Sequence, residues 1–153
     1  MNKTIGASLT IAVLGLSSIS AQAQTATKDD AKALVVKAIA HVKKNGVEAS
    51  CKDFADPQGG FMQGDLYVFV QDMQAHMICH AANPKMNGKD LSGLKDVDGK
   101  QFSKAMVELV KSKGSGWVDY RWVNPVSKAI EAKTSYVARV DDTTWLGVGI
   151  YKK

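Results

Sequence analysis

Beyond its first twenty residues the sequence has no apolar run approaching the ~20 residues needed to cross a bilayer. A spanning helix in the rest of the chain is therefore not expected. The formal net charge is +5, yet no run of five basic residues occurs, so the basic stripe of a nucleic-acid binder is missing. Mild, scattered basicity suits attraction to small anions instead. G-x-S-x-G is absent, which leaves a nucleophile elbow unsupported. G-x-x-x-x-G-K-[ST] is absent too; Gly93 and Lys100 stand at other spacings and Gln101 follows. The acidic pairs Asp29–Asp30 and Asp141–Asp142 fall at a helix start and a turn, where capping and turn chemistry explain them. No catalytic arrangement emerges, and an enzyme is not expected.

Cysteine and histidine are sparse, but they cluster. Two histidines and one of the two cysteines fall within His76-Met77-Ile78-Cys79-His80. C-x-x-C-H is missing because position 76 is His, which excludes haem attachment by that motif. A zinc site needs about four ligands. His41 lies far off in the first helical segment, and no acidic residue occurs in 74–88. Strand alternation places His76, Ile78 and His80 on one face, with Met77 and Cys79 on the other. Cys79 is then not placed to join the histidines. No cofactor is expected, and a metal or haem site on His76 and His80 stays as a third reading.

What is present begins with MNKTIGASLTIAVLGLSSISAQAQ. Lys3 supplies a positive n-region, residues 5–19 an uncharged and largely apolar run, and Ala21-Gln22-Ala23 an A-x-A cleavage site. Residues 1–23 are expected to be a secretory signal peptide and residues 24–153 a single domain, periplasmic or secreted. Loss of Lys3 leaves a charge of +4. In an oxidising compartment Cys51 and Cys79 are candidates to pair. Such a bond would close a loop of about 29 residues and stabilise the fold by ~3 kcal/mol in the chain-entropy model. Whether their Cβ atoms can meet is not set by the sequence.

Thr27 to Asp30 has the form of a capping box. Ala31, Leu34, Val35, Ala38, Ile39 and Val42 follow at helical spacing, and Gly46 is a helix stop. A short second helix is read at 47–54. Strands are read at 66–70 and 76–80, with a turn at 72–75. After a glycine-punctuated polar loop, a helix at 101–113 carries the stripe Phe102, Ala105, Met106, Leu109 and Val110. Three strands follow at 117–123, 132–140 and 144–151. Short connections make the sheet mainly antiparallel. The expected fold is α+β: about five strands, a long N-terminal helix, and a helix between strands 2 and 3.

From about Gly64 to Tyr151 the sequence resembles the single Cache domain family, extracytoplasmic sensor domains with a PAS-like sheet. The matching stretches are GDLYVFVQDM (64–73), HAANP (80–84), KMNGKDLSGLKDVDGK (85–100), MVEL (106–109), GSGWVDYRW (114–122), KTSYV (133–137) and GVGIY (147–151). The chain departs from the pattern at the hairpin turn, where the family usually carries Gly and this chain has Ala75. Position 76 is more often apolar in the family. The resemblance covers a sensor head with no output machinery after Lys153, a stand-alone exported form.

The resemblance implies a small pocket on the sheet for a short organic carboxylate. Its partner would be a separate membrane-bound sensor kinase or chemoreceptor. Val118, Tyr120 and Trp122 share a strand face, and Tyr120 and Trp122 offer an apolar wall with an O–H and an N–H at its edge. Lys133 supplies a positive charge. His80 can donate from one ring nitrogen. Tyr136 is retained as a fifth candidate, although alternation puts it opposite Lys133 and only a bulge would bring it round. Each has a plain alternative: Tyr120 and Trp122 as core aromatics, Lys133 as a solvated strand-end lysine, His80 as a turn histidine. Asp98-Gly99-Lys100 reads as a turn. The second functional reading is a protein-interaction module with a vestigial pocket.

Overall fold

A computed structural model describes residues 26–152. The expected signal peptide, residues 1–23, lies outside them. Helix α1 spans Lys28–Asn45 and opens on the expected capping box: the Thr27 hydroxyl accepts from the Asp30 N–H, and the Asp30 carboxylate accepts from the Thr27 N–H. Its buried face is Ala31, Val35, Ala38 and Val42. Gly46, at φ 81°, ends α1 and starts α2 (Val47–Ala55), a corner that glycine adopts without a Cβ penalty. No helix among the described residues is long and apolar enough to cross a membrane.

Six antiparallel strands form the sheet: β1 (Met62–Gln63), β2 (Leu66–Asp72), β3 (Met77–His80), β4 (Ser115–Val123), β5 (Ile130–Arg139) and β6 (Thr144–Tyr151). The order is β1-β2-β6-β5-β4, and β3 pairs with β2. The extra strand over the expected five is β1, two residues paired to Leu66 and Tyr67, too short to leave an alternation in the sequence.

The sheet has two unlike faces. Helix α1 lies across β6 and β5 on one of them, where Lys32 Nζ sits 5.6 Å from the Tyr136 ring centroid. Helix α3 (Phe102–Lys113) covers the other over β4 and β5, with the Phe102 ring stacked on Tyr120 at 4.8 Å. Residues 81–101 complete that second cover. Asp96 fastens them to β4 by accepting from the Arg121 backbone N–H at 3.0 Å, and Arg121 Nε pairs with Asp98 at 3.1 Å. Asp98-Gly99-Lys100 is the turn expected, closed by a Gly99 N–H to Asp96 carbonyl bond.

The β2–β3 hairpin departs from strict alternation. Its turn runs through Ala75 at φ 69°, the left-handed conformation for which glycine is the easier residue. A register shift falls between Val70 and Gln71: Phe69 pairs with His80, Val70 with Cys79, but Gln71 with Met77. The expected common face of His76, Ile78 and His80 is therefore broken. Met77 joins His80 on the α3 side. His76 is exposed at the hairpin base, its Nδ1 2.9 Å from the Asp72 carboxylate. Cys79 faces away from His80, as expected, and is bonded to Cys51 of α2.

Candidate functional site

Two concavities compete. The larger is an open surface groove of about 920 Å³ between the start of α1, β1 and the β4–β5 turn, with Asp30, Asp65 and Ser127 on its wall. None of the five sequence candidates lines it. The smaller, about 10 Å³, lies between the sheet and α3 and is lined by Phe69, Gln71, His80, Phe102, Tyr120 and Trp122, among others. It holds room for about one water molecule. The smaller cavity is the better candidate, because mostly apolar walls with a few polar groups mark small-molecule sites.

Lys133 lies just behind this cavity, 1% exposed. It is not a solvated strand-end lysine. Glycines on β6 make its path possible. A methyl at Gly149 would lie 2.2 Å from Lys133 Cε, and one at Gly147 would lie 2.6 Å from the Phe69 ring. The ammonium sits 3.9 Å from the Tyr67 ring centroid and 4.8 Å from that of Tyr151. It donates to the Tyr67 hydroxyl at 2.7 Å. Tyr151 donates to the Val123 carbonyl, so Tyr67 must donate to Tyr151, and the hydrogen bonds run in one direction from Lys133 to Val123. No ion pair among the described residues places a carboxylate on Lys133. Burial pushes its pKa well below the ordinary value, against a weaker opposing pull from Asp65.

His80 is 5% exposed, with its ring 4.8 Å from that of Tyr67. Its Nδ1 accepts the Asn83 backbone N–H at 3.0 Å. The neutral ring therefore carries its proton on Nε2, as a donor. Burial, reinforced by the nearby Lys133 charge, lowers the His80 pKa to about 3. Between that value and the ordinary 6.5 the unfolded chain binds a proton that the native ring refuses. Stability should thus fall as the pH drops below 6.5, by about 2 kcal/mol at pH 5 from this residue alone. Urea titrations at pH 7 and pH 5 check this. A His80→Asn variant should lose that part of the pH dependence; an unchanged slope would remove His80 as its source.

Tyr120 is buried and its hydroxyl lies 3.0 Å from Ser135 Oγ. Trp122, half-buried, packs its ring 5.2 Å from Phe102 and 6.4 Å from His80. The structure thus brings together His80, Tyr120, Trp122 and Lys133. It does not bring in Tyr136. No bulge interrupts β5, so Tyr136 stays on the α1 face and donates to Ser115 Oγ at 3.0 Å. The histidine pair is also divided, with His76 exposed and His80 buried, and Cys79 is held in the disulfide. Among the described residues no three His, Cys, Asp or Glu side chains group as metal ligands would.

The sequence reading missed Tyr67, Tyr151 and Gln71. Tyr151 could have been found through β5–β6 pairing, since it stands opposite Lys133. Tyr67 could have been found from β2 alternation with Phe69.

This architecture and these residues have known counterparts. The family model described as Single Cache domain 2 matches residues 2–153. The methyl-accepting chemotaxis protein McpP of Pseudomonas putida is 39% identical over 88 residues, 57% of this chain and 16% of that receptor. The sensor histidine kinase MctS of Rhizobium johnstonii is 31% identical over 88 residues, 57% of this chain and 19% of the kinase. This chain thus spans less than a fifth of either relative. Among solved structures, one concerned with carboxylic acid recognition by a Cache chemosensory domain superposes with a TM-score of 0.64 at 31% identity, covering 82% of this chain and 88% of that one. A methyl-accepting chemotaxis protein from Vibrio parahaemolyticus shares the fold, with a TM-score of 0.71 at 24% identity over 81% of this chain and 87% of that one. With its α+β sheet, its covered pocket face and these relatives, the chain belongs to the single Cache domain family of sensor domains, homologous to the sensing heads of chemoreceptors and sensor kinases.

Proposed function

We propose that this protein is a periplasmic or secreted binder of a short organic carboxylate that reports occupancy to a separate membrane-bound sensor kinase or chemoreceptor. One observation carries the reading: Lys133 is buried behind an aromatic cavity, and no carboxylate among the described residues forms an ion pair with it. A buried cation without a counter-charge is costly, and an anionic ligand would relieve that cost. His80 Nε2–H offers a second donor, and Tyr120 and Trp122 supply the wall. The cavity of about 10 Å³ has room for about one water molecule, so an organic acid enters as α3 and residues 81–101 lift. The Cys51–Cys79 bond fits an oxidising compartment, and cleavage after Ala23 would deliver the protein there as residues 24–153.

A thermal-shift screen of the exported protein tests the reading with acetate, propionate, pyruvate, lactate, amino acids and divalent metals. A carboxylate held at 100 times its Kd should add about 2.7 kcal/mol of stability, because it binds only the native state. A flat response to every acid would overturn this function. It would favour the protein-interaction module, which the small cavity of about 10 Å³ already suits. A shift with a metal alone would favour a site on the histidines.

A further inference from the structure

Gln71 is the one polar side chain of the cavity wall that the carboxylate site leaves without a task. It lies on β2 beyond Phe69, 1% exposed, and it lines the smaller cavity. Its Oε1 accepts the hydroxyl proton of Ser103, itself fully buried at the first turn of α3. In that arrangement the oxygen turns to α3, and the NH2 group is left over. Among the described residues Gln71 Nε2 makes no hydrogen bond, and the residue is 1% exposed. Gln71 is one of the residues that line the cavity.

An amide this little exposed that lacks an acceptor costs free energy, and the wall offers little: Phe69 and Leu91 cannot accept, and the Met77 and Met106 sulfurs accept only weakly. The group that answers it must be an acceptor. It must also be short of a full charge, because Gln71 offers a dipole and no cation stands beside it. Position narrows the choice further. Phe69 pairs with His80, and Gln71 is two residues along the same strand face. His80 and Gln71 are therefore diagonal neighbours with backbones roughly 7–8 Å apart. Both residues line the same small cavity, so oxygens read by the two would belong to one short molecule.

We propose that Gln71, held by Ser103, reads a neutral oxygen next to the ligand's carboxylate, so that the site selects 2-oxo and 2-hydroxy acids over plain alkanoic acids of the same length. This rests on the carboxylate reading of the pocket. A plain alkanoate leaves the Gln71 amide unpaired, and a dicarboxylate places a second charge where no cation answers it.

Three acids of equal carbon number separate the cases: pyruvate, lactate and propionate, titrated calorimetrically into the exported protein. The wild type should bind pyruvate and lactate at least about tenfold more tightly than propionate, the scale of one buried hydrogen bond made or left unmade. Gln71→Met keeps the side-chain length and removes the amide. It should erase that preference by weakening pyruvate and lactate, with propionate held within about threefold. Ser103→Ala, which frees the amide to turn, should give a partial loss on pyruvate and lactate alone. Equal wild-type affinities for the three acids would overturn the proposal, and so would equal losses on all three in the variants. Both results leave the carboxylate reading standing. Failure of all three acids to bind the wild type would take down that reading and this proposal together. Should Gln71→Met fail to fold, the wild-type ratio and Ser103→Ala still decide.

Discussion

Replacing Lys133 with methionine should weaken carboxylate binding by at least about 100-fold while leaving the free protein as stable as before, or more so. Truncating one partner of a buried charge pair costs 2–5 kcal/mol of binding, and 2.7 of these is already a factor of about 100. The free protein gains on the other side. Lys133 is 1% exposed and its ammonium has one hydrogen-bond acceptor, the Tyr67 hydroxyl, and no carboxylate among the described residues. Methionine is linear and of similar length, so it can follow the same path past Gly149 without the desolvation of an amine. Arginine is no substitute, because its planar fork cannot fit a slot in which a single methyl at Gly149 would collide.

The same residue gives the prediction a second readout. Burial lowers the Lys133 pKa well below 10.5 in the free protein. Between the lowered value and 10.5 the unfolded state holds the proton that the native state has lost. The free protein should therefore gain stability as the pH rises through that window. A bound carboxylate reverses the shift, because an adjacent anion favours the charged amine. Binding then takes up a proton wherever the pH lies between the free and bound values, and the calorimetric enthalpy varies with the ionisation enthalpy of the buffer. That buffer dependence should vanish in Lys133→Met. A variant that keeps wild-type affinity would place the carboxylate elsewhere in the pocket.

Much of this site could be read from residue order, and the limits have physical causes. Alternation alone placed Tyr120 and Trp122 on the face where the structure has them, because β4 is nine residues long and pairs with β5 without interruption. The same rule put Tyr136 opposite Lys133; its inclusion rested on a bulge that β5 lacks. The rule failed on β3, a four-residue strand whose register against β2 shifts between Val70 and Gln71. A shift of this kind depends on the partner strand, so it leaves no trace in the local pattern. Gln71 was lost for a related reason. Strand content by β-branched and aromatic residues ends at Val70, whereas pairing with Trp145 and Thr144 carries β2 through Asp72. The buried state of Lys133 was hidden in residues far along the chain. Tyr67 is its acceptor across 66 positions, and the space it occupies exists because position 149 is glycine.

Cys51→Ser should lower the melting temperature of the exported protein by roughly 10 °C, from about 3 kcal/mol of lost stability. The bond joins α2 to β3 across a separation of 28 residues. In the chain-entropy model its loss frees the unfolded ensemble, so the cost depends chiefly on loop length. Its position adds a second consequence. β3 pairs with β2 alone and has just four residues, and Cys79 immediately precedes His80. Removing the tether should loosen the element that holds the His80 donor, so carboxylate affinity should fall along with stability, though by less than in Lys133→Met. Wild-type protein treated with reductant should match the variant on both counts, and the variant itself should not respond to reductant. Thiol counting by mass spectrometry, on protein taken directly from the exported fraction, sets the starting state. Two free thiols there would remove the bond from the working protein, and with it the reason for either loss.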